Sequence, residues 1–497
     1  MEHRIRILPD GACVTAADGA YLLDVLAANG YALPAACGGR GSCGKCRVTL
    51  LEGRVSGTEA DEKGEILACR ARVCGDLTVR LRGHAGGGLE YFADERLVTD
   101  GNVGVGVALD VGTTTLALCS VDLKTGRVLA RVSALNPQGV LGADVLSRIQ
   151  ACGEGKGELL QRLLLDRVRR MLSDAAIDAP ITEMKVAANT TMLHLFWGAD
   201  PTPIGVYPFT PRFTDEQVGS GEALGLPVGK VCLLPSVSGY IGSDITAGIV
   251  VCGMDRTDRV CLFADVGTNG ELVLAHGGRL YAVSTAAGPA LEGACIECGM
   301  GGVSGACAHV SLRDGMLAIE TVDGTPVRGI CGSGLLDLIA LLLHEGLIDE
   351  GGAWERDARS VLAPRLRGDR FYLSEDVYLS GQDIRQFQLA KAAIAAGIET
   401  LLAHVGLSSE AVEAVYVAGG LGYYMSVESA AATGLLPRGL ARKAQSVGNT
   451  ALAGARLALL RADCMERIRS VAARTEVVEL ATSPTFTDAY VRNMLFA

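Results

Sequence analysis

Four cysteines near the N-terminus constrain the fold of this chain more than any other feature of the sequence. Cys37, Cys43 and Cys46 share one short segment, and Cys69 follows further along the chain. Three close thiolates and a distant fourth form a ligand set that binds a [2Fe–2S] cluster. Glycine is frequent across residues 38–44, and its conformational freedom lets backbone N–H groups point at the cluster and offset its negative charge. The pattern therefore predicts a protein that transfers electrons.

This cysteine pattern resembles that of plant-type ferredoxins, with one departure. Five residues separate Cys37 from Cys43, whereas the plant-type pattern has a gap of about four, and the longer loop still keeps the ligands within reach. A zinc site would normally use paired C-x2-C knuckles, and this loop holds a single pair. Disulfides are not expected, because the chain has no signal peptide and no regular cysteine pairing pattern. Cys74 competes for the fourth position, but Cys69 is favoured because it follows an apolar pair.

The segments around the cysteine loop predict a small domain of the β-grasp ferredoxin type. Alternating apolar and polar residues predict strands on either side of a Pro-Asp-Gly turn, and helical spacing follows before an Asn-Gly stop. Further strand-like segments come after the loop. The predicted strands are residues 3–8, 12–16, 47–51 and 77–81, the predicted helix is 21–28, and the domain is 1–82.

A glycine-rich and then charged stretch predicts a linker over residues 83–103. Beyond it strands and helices alternate, which predicts a two-lobed α/β domain over residues 104–497. A net charge of −11 and an aromatic content of 5% argue against binding to nucleic acids or anionic membranes. The apolar run 335–343 is too short to span a bilayer. Many cysteines without an export signal predict a cytoplasmic protein, and a labile cluster suggests anaerobic life.

Two similar hairpins follow the linker. An apolar strand within residues 105–121 ends in Asp110 and turns back, and residues 260–274 repeat the pattern with Asp265. A glycine lets the backbone approach phosphate oxygens, hydroxyl and N–H groups donate to them, and the aspartate holds Mg²⁺ through water. The predicted phosphate-binding residues are Gly112, Thr113, Thr114 and Thr115 in the first turn and Gly267, Thr268 and Asn269 in the second.

Two further glycine motifs complete the predicted nucleotide site. A strand from Val415 runs into Gly419 and Gly420, which would let an adenosine lie flat against the backbone. Gly332 and Ser333 open an apolar helix, where they could bind an anion or simply cap the helix, and the sequence leaves both readings open. No G-x-x-x-x-G-K-[ST] motif is present, which excludes a P-loop.

The order of these elements resembles the superfamily of acetate and sugar kinases, Hsp70 and actin, whose members bind phosphates between two hairpins and adenosine at a glycine pair. The alternative is that all three are ordinary strand–turn elements of a structural α/β fold. The resemblance implies that Asp110 and Asp265 act as catalytic residues and that ATP and Mg²⁺ are cofactors.

Taken together, the motifs resemble the reductive activators of corrinoid proteins over essentially the whole chain. That resemblance implies an ATP-dependent electron donor that reduces a Co(II) corrinoid protein to Co(I), so that methyl transfer can resume. It also implies a homodimer through the ATPase domain. A plant-type [2Fe–2S] centre has a potential of about −400 mV. Reducing Co(II) to Co(I) is harder still, so this electron transfer would be uphill without ATP. Four further segments carry the resemblance: residues 188–194, 239–244, 286–293 and 383–391.

Other interpretations stay open at this point. The chain could activate a different low-potential enzyme, or it could be a non-enzymatic redox sensor built around the cluster. The sequence identifies neither the methyltransferase system nor the electron donor. His194 lies in an apolar run and is interpreted as a hydrogen-bonded core residue. The remaining cysteines are interpreted as small apolar residues, with a second metal site as the alternative for Cys295, Cys298, Cys307 and Cys331.

Overall fold

The computed structural model describes residues 2–8, 12–28, 46–61, 64–81, 98–142, 144–293, 295–302, 304–419, 425–480 and 483–496. The predicted ligands Cys37 and Cys43, the predicted adenosine contact Gly420 and residues 83–97 of the predicted linker lie outside this part of the chain.

The N-terminal unit is a five-stranded mixed sheet with one helix against it. Its strand order is β2-β1-β7-β3-β5, with β1 antiparallel to β2 and parallel to β7. Alternation decides the faces: Ile5 and Ile7 are fully buried, whereas Arg4 and Arg6 are exposed. The elements are β1 Glu2–Leu8, β2 Ala12–Ala17, α1 Leu22–Ala28, β3 Arg47–Glu52, β4 Val55–Ser56, β5 Glu65–Leu67, β6 Arg72–Val73 and β7 Leu77–Leu81.

The second unit is a six-stranded sheet of order β10-β9-β8-β11-β13-β12. Strands β8, β9 and β10 form an antiparallel meander, and β11 and β13 continue the sheet in parallel with β8. The elements are β8 Val105–Val111, β9 Thr115–Asp122, β10 Val128–Leu135, α2 Val145–Gly153, α3 Gly157–Asp174, β11 Ile181–Ala188, α4 Thr190–Trp197, β12 Gln217–Ser220, β13 Val228–Leu233 and α5 Ser243–Val251.

The third unit repeats this plan in a second six-stranded sheet, of order β24-β23-β14-β15-β16-β25. Again an antiparallel meander, β14 to β16, continues into parallel strands, β23 and β24. The strands are β14 Cys261–Val266, β15 Gly270–His276, β16 Arg279–Thr285, β17 Ala306–Arg313, β18 Met316–Thr321, β19 Gly329–Ile330, β20 Leu366–Arg367, β21 Arg370–Tyr372, β22 Tyr378–Ser380, β23 Ala414–Ala418, β24 Ala444–Gly448 and β25 Thr475–Val477. The helices are α6 Gly332–His344, α7 Gly381–His404, α8 Val427–Thr433, α9 Arg438–Ala441, α10 Thr450–Leu460, α11 Ala462–Arg474 and α12 Pro484–Arg492.

The two six-stranded sheets share one core, in which α5 and α10 pack between them. This core takes Val121 from the first sheet and Phe263 from the second. The helices approach closely because they meet at glycine, where a Cβ on Gly454 would lie 2.5 Å from the Cβ of Ala247. The structure therefore confirms the predicted fold class, an α+β β-grasp ferredoxin unit followed by a two-lobed α/β fold of the actin and Hsp70 type.

The sheet topology brings the two predicted hairpins to equivalent places. Asp110 comes near the end of β8 and Asp265 near the end of β14, each just before the turn of its meander. Each strand also pairs in parallel with its neighbour at that end, Asp110 opposite Ala187 and Asp265 opposite Ala418. Throughout the described ranges, no helix combines the length and apolar character needed to cross a membrane.

Candidate functional site

The first hairpin turn is held in place by polar side chains from three other segments. Asn136 Nδ2 donates to the Gly112 carbonyl at 2.9 Å. Arg148 Nη2 donates to the Thr113 carbonyl at 2.6 Å, and Asn189 Nδ2 donates to Thr113 Oγ1 at 3.2 Å. Arg148 is almost fully buried, and burial lowers its pKa to about 10, still well above neutral pH. A fixed positive charge therefore lies directly beneath this turn.

The second turn lies against the predicted adenosine strand. Gly419 has a φ of +84°, and a Cβ there would lie 2.6 Å from Asp265 Oδ1, so only glycine fits this approach. Within the turn, Gly267 N–H donates to the Asn269 carbonyl at 3.0 Å. The structure thus brings Gly419 next to the second hairpin, as the predicted nucleotide site requires.

Carboxylates from both sheets surround the two turns. Burial and the charges of neighbouring acids together raise the pKa of Asp110, Asp244 and Asp265 to about 7 each, with burial the larger cause. Asp265 acts on Asp110, Asp110 on Asp244, and Asp244 on Asp265. Glu271 on β15 is buried beside Asp244 and Asp265, and its pKa is also raised, chiefly by burial. Such a concentration of negative charge favours the binding of a cation.

Neighbouring residues position the side chains of Asp110 and Asp244. Asn449, the N-cap of α10, donates from Nδ2 to Asp110 Oδ2 at 2.6 Å and so links Asp110 to the shared helix layer. Asp244 lies in the first turn of α5, where Gly242 leaves no room for a side chain: a Cβ there would lie 2.6 Å from Asp244 Oδ1 and 2.4 Å from the Cα of Asn189. The segments 188–194 and 239–244 therefore meet at the site.

The described residues contain no group of three or more His, Cys, Asp and Glu side chains spaced to ligate one metal ion directly. The carboxylates of Asp110, Asp244 and Asp265 nevertheless fit a hydrated Mg²⁺, because that ion commonly keeps several of its waters and is then held through them.

Two of the predicted cluster ligands lie side by side in the N-terminal unit. Cys46 is fully buried and Cys69 is 5% exposed, and the N–H of Ala68 donates to the Cys46 carbonyl at 2.9 Å. The start of α1 fixes this corner, because Leu23 N–H donates to the Ala68 carbonyl at 3.0 Å. Cys74 is exposed and its thiol faces the Arg54 carbonyl at 3.2 Å. Two buried thiols at one corner fit an iron–sulfur cluster, whereas Cys74 points elsewhere.

Comparison with known proteins agrees with this arrangement. Residues 5–74 match the 2Fe-2S iron-sulfur cluster binding domain, residues 105–257 the RACo middle region, and residues 259–497 the C-terminal domain of RACo, the ASKHA domain. The corrinoid activation enzyme RamQ of Eubacterium limosum is 33% identical, over 79% of this chain and 70% of that protein. The chain belongs to the family of corrinoid-protein reductive activators.

Two other members of this family are more distant in sequence. The Co(II) methylated amine-specific corrinoid protein reductase of Methanosarcina barkeri is 25% identical, over 78% of this chain and 76% of that protein. A solved structure of a reductive activator for corrinoid,iron-sulfur protein superposes with a TM-score of 0.73 at 28% identity, and the match covers 99% of this chain and 98% of that one. The shared fold therefore extends over both parts of this family member.

The remaining predicted site residues are Gly332, Ser333, Thr115 and Asn269. Ser333 is 2% exposed and its hydroxyl donates to the Ala308 carbonyl at 2.9 Å, and Gly332 beside it is buried at the start of α6. The Ser333 hydroxyl also does not cap α6, whose N-cap is Cys331. Thr115 is exposed at the start of β9, and Asn269 is half-buried in the second turn. Their roles as ligands stay predictions.

Sequence reasoning assigned no site role to four residues at this place: Asp244, Glu271, Glu292 and Asn449. Asp244 and Glu292 fall inside the segments 239–244 and 286–293, which carried the family resemblance, so a signal existed for them. Glu271 lies two residues beyond the turn residue Asn269, where a buried acid on an apolar strand was a usable signal. Asn449 precedes a helix and reads as an ordinary N-cap.

The other residues singled out in the sequence lie within the core or at the surface. His194 is buried, bonds through Nδ1 to the Thr190 carbonyl at 2.7 Å and accepts the Arg212 N–H at Nε2 at 3.0 Å, which confirms the core interpretation. Cys307 and Cys331 are buried, and Cys295 is exposed. Cys298 is partly exposed and its thiol faces the Asp376 carbonyl at 3.7 Å.

Proposed function

We propose that this protein uses ATP to deliver low-potential electrons from its [2Fe–2S] cluster to a Co(II) corrinoid protein, and so restores the Co(I) form needed for methyl transfer. One observation carries the proposal: two matching hairpin turns from separate sheets converge on a single acidic centre, in a chain whose N-terminal unit matches a 2Fe-2S domain. Family membership supports the choice of acceptor.

The nucleotide site is proposed to form between the two turns. Backbone and hydroxyl groups of both turns would bind the phosphates, and the half-buried Asp110 and Asp265 would hold Mg²⁺ through water. The adenosine would lie against Gly419 and Gly420, next to the second turn. The proposed phosphate contacts are Gly112, Thr113, Thr114, Thr115, Gly267, Thr268 and Asn269. Gly332 and Ser333 are proposed as further nucleotide contacts.

The electrostatics of the site favour a bound Mg²⁺–nucleotide. Burial and mutual repulsion disfavour ionised carboxylates here, as the raised pKa values of Asp110, Asp244 and Asp265 indicate. A divalent cation supplies the missing positive charge, and Arg148 beneath the first turn adds a second fixed charge on the phosphate side. Hydrolysis converts ATP and water to ADP and phosphate, and the change in bound anion can shift the balance between lobe arrangements.

The cluster is proposed to bind to Cys37, Cys43, Cys46 and Cys69. When bound, it supplies a one-electron carrier of low potential. Cys46 and Cys69 form a buried corner, which would shield that side of a bound cluster from solvent. A separate low-potential donor must supply each electron. We propose the division 1–82, 83–103 and 104–497 for the ferredoxin domain, linker and ATPase domain, which the family matches to residues 5–74 and 105–497 support.

The proposal is tested by measuring ATP hydrolysis and Co(I) formation, with and without a Co(II) corrinoid protein and with a chemical reductant for the cluster. Hydrolysis stimulated by the corrinoid protein, together with Co(I) formation, is expected. Asp265→Asn should suppress both, whereas the matched control Asp314→Asn, in an exposed turn, should change neither. Hydrolysis without Co(I) would favour activation of another low-potential enzyme, and no hydrolysis would favour a redox sensor.

Three further features are proposed with the function. The family resemblance suggests a homodimer through the ATPase domain, which light scattering would measure. Cysteine usage suggests a cytoplasmic setting, and the labile cluster suggests anaerobic life. The corrinoid protein is expected to belong to a methyltransferase system, which neighbouring genes would identify.

A further inference from the structure

One carboxylate accepts hydrogen bonds from both hairpin turns. Glu292 Oε2 accepts hydrogen bonds from Thr114 Oγ1 at 2.9 Å and from Thr268 Oγ1 at 2.8 Å. Its other oxygen, Oε1, accepts the Thr268 N–H at 3.1 Å. Because Thr114 and Thr268 follow strands of different six-stranded sheets, a single side chain links the two lobes at the site.

The backbone around Glu292 holds this position by conformations that require glycine. Glu292 ends the short 3-10 turn Pro289–Glu292, which lies between Gly288 at φ +78° and Gly293 at φ +82°. A Cβ on Gly293 would lie 2.3 Å from the Met300 carbonyl oxygen. A Cβ on Gly267 would lie 3.1 Å from Glu292 Oε1, so the second turn leaves room for the carboxylate itself. The contact is therefore built into both segments.

The donors that Glu292 uses are the ones that the proposed phosphate site would offer. Each threonine hydroxyl has one hydrogen, so it donates either to the carboxylate or to a phosphate oxygen. The Glu292 charge also raises the pKa of Asp265, after burial and Asp244, and would repel a phosphate in the same way. The carboxylate and the phosphate therefore exclude each other from these donors.

We propose that Glu292 is an internal competitor of the ATP phosphates. It occupies the donors of Thr114 and Thr268, ATP must displace it, and the exchange lowers the ATP affinity. Displacement also removes the carboxylate link between the lobes and replaces it with the phosphates, so that ATP binding is tied to the arrangement of the lobes. This inference rests on the proposed ATP site between the two turns.

The test measures equilibrium binding of a non-hydrolysable ATP analogue with Mg²⁺ to the full chain by isothermal titration calorimetry. Glu292→Gln keeps the shape of the side chain and removes its charge, and we expect binding about tenfold tighter than wild type. The charge-matched control Glu320→Gln breaks a partly exposed ion pair with Arg313 and should leave the affinity unchanged. In steady state the KM for ATP should fall, with kcat changed less.

A second comparison locates the competition at the shared donor. In a Thr268→Val background the donor is lost to both anions, so Glu292→Gln should give a smaller gain than in the wild type. Glu292→Ala should also tighten binding, and circular dichroism checks that each variant is folded.

The possible outcomes separate this inference from the function on which it rests. If wild type binds the analogue and Glu292→Gln binds it equally or more weakly, the inference is overturned and the ATP site stands. A loss of kcat at unchanged affinity would place Glu292 in the chemistry and would equally overturn the competitor role. Failure of the wild type and of every Glu292 variant to bind would overturn the ATP site, and the inference with it.

Discussion

At the scale of single residues, the two candidates for the fourth cluster ligand differ in burial. Cys69 is buried beside Cys46, whereas Cys74 is exposed with its thiol against a backbone carbonyl. We expect Cys69→Ser to abolish most of the visible absorption of the oxidised cluster, because a serine oxygen is a poor substitute for a thiolate ligand. Cys74→Ser is the matched control and should retain the full spectrum. The reverse pattern would transfer the fourth ligand position to Cys74.

Asp244 gives a second prediction at this scale. Its carboxyl is half-buried and is repelled by the nearby Asp110, so Asp244→Asn removes an unfavourable charge while keeping the side-chain shape. Without Mg²⁺ at pH 8 the variant should be more stable, by up to about 4 kcal/mol, and should melt several degrees higher. With Mg²⁺–ATP it should hydrolyse more slowly than wild type. Calorimetry and a phosphate-release assay measure the two effects, and a lower melting temperature without Mg²⁺ would contradict the electrostatic account.

Contiguous candidate site residues were easier to identify from the sequence than dispersed ones. The hairpin residues were identifiable because a strand, an aspartate and a glycine turn occur together, and the pattern occurs twice. Asn449 reaches Asp110 across 339 positions of sequence, and no local spacing indicates such a contact. Glu292 lies in a segment that carried the family resemblance. Its hydrogen bonds to both turns, however, depend on how the two sheets meet, which no local pattern indicates.

At the scale of secondary-structure elements, helix α7 explains the segment 383–391 that carried part of the family resemblance. Gln388 Nε2 donates to the Met494 carbonyl at 2.9 Å, and Lys391 Nζ donates to the Leu495 carbonyl and lies 5.4 Å from the Phe496 ring centroid. These polar residues therefore fasten the last described residues of the chain to the helix.

Lys391 makes the stability of this attachment depend on pH. Burial lowers its pKa from 10.5 to about 8, so between these values the unfolded chain binds more protons than the folded one. The free energy of unfolding should therefore rise with pH across this window, by up to about 3 kcal/mol from this residue. Lys391→Met should flatten that part of the profile in chemical denaturation at pH 8 and pH 10.5.

Lys156→Met, at an exposed lysine, is the matched control for that experiment. A profile as steep in Lys391→Met as in the control would show that other groups cause the rise.

Elements with a strong local pattern were predictable, and small ones defined by long-range pairing were not. The strand–turn–strand segments 105–121 and 260–274 match β8–β9 and β14–β15 because buried apolar runs bracket each turn. The short sheet β20-β21-β22 has strands of two or three residues, which are too short to carry a periodic signal. Its strands exist because their neighbours pair with them.

At the scale of the whole molecule, one chain combines electron transfer with ATP hydrolysis. We expect that each of these functions can be removed without loss of the other. The proposed cluster ligands belong to the N-terminal unit, and the acidic centre belongs to the two six-stranded sheets. Because separate family models match these two parts, we expect that damage to one part leaves the other intact. Coupling between them would then appear only in the complete reaction.

Two variants test this coupling in one assay. With Mg²⁺–ATP, a Co(II) corrinoid protein and a reductant that does not reduce the corrinoid directly, Cys69→Ser should still hydrolyse ATP but form Co(I) at least about tenfold more slowly, because the electron carrier is lost. Asp265→Asn should keep the cluster spectrum yet also fail to form Co(I), because the uphill transfer then lacks the ATP-driven shift between states. Absorbance of Co(I) and released phosphate are followed together. Wild-type Co(I) formation by Cys69→Ser would mean that electrons bypass the cluster, and the same result with Asp265→Asn would mean that the transfer does not depend on the acidic centre.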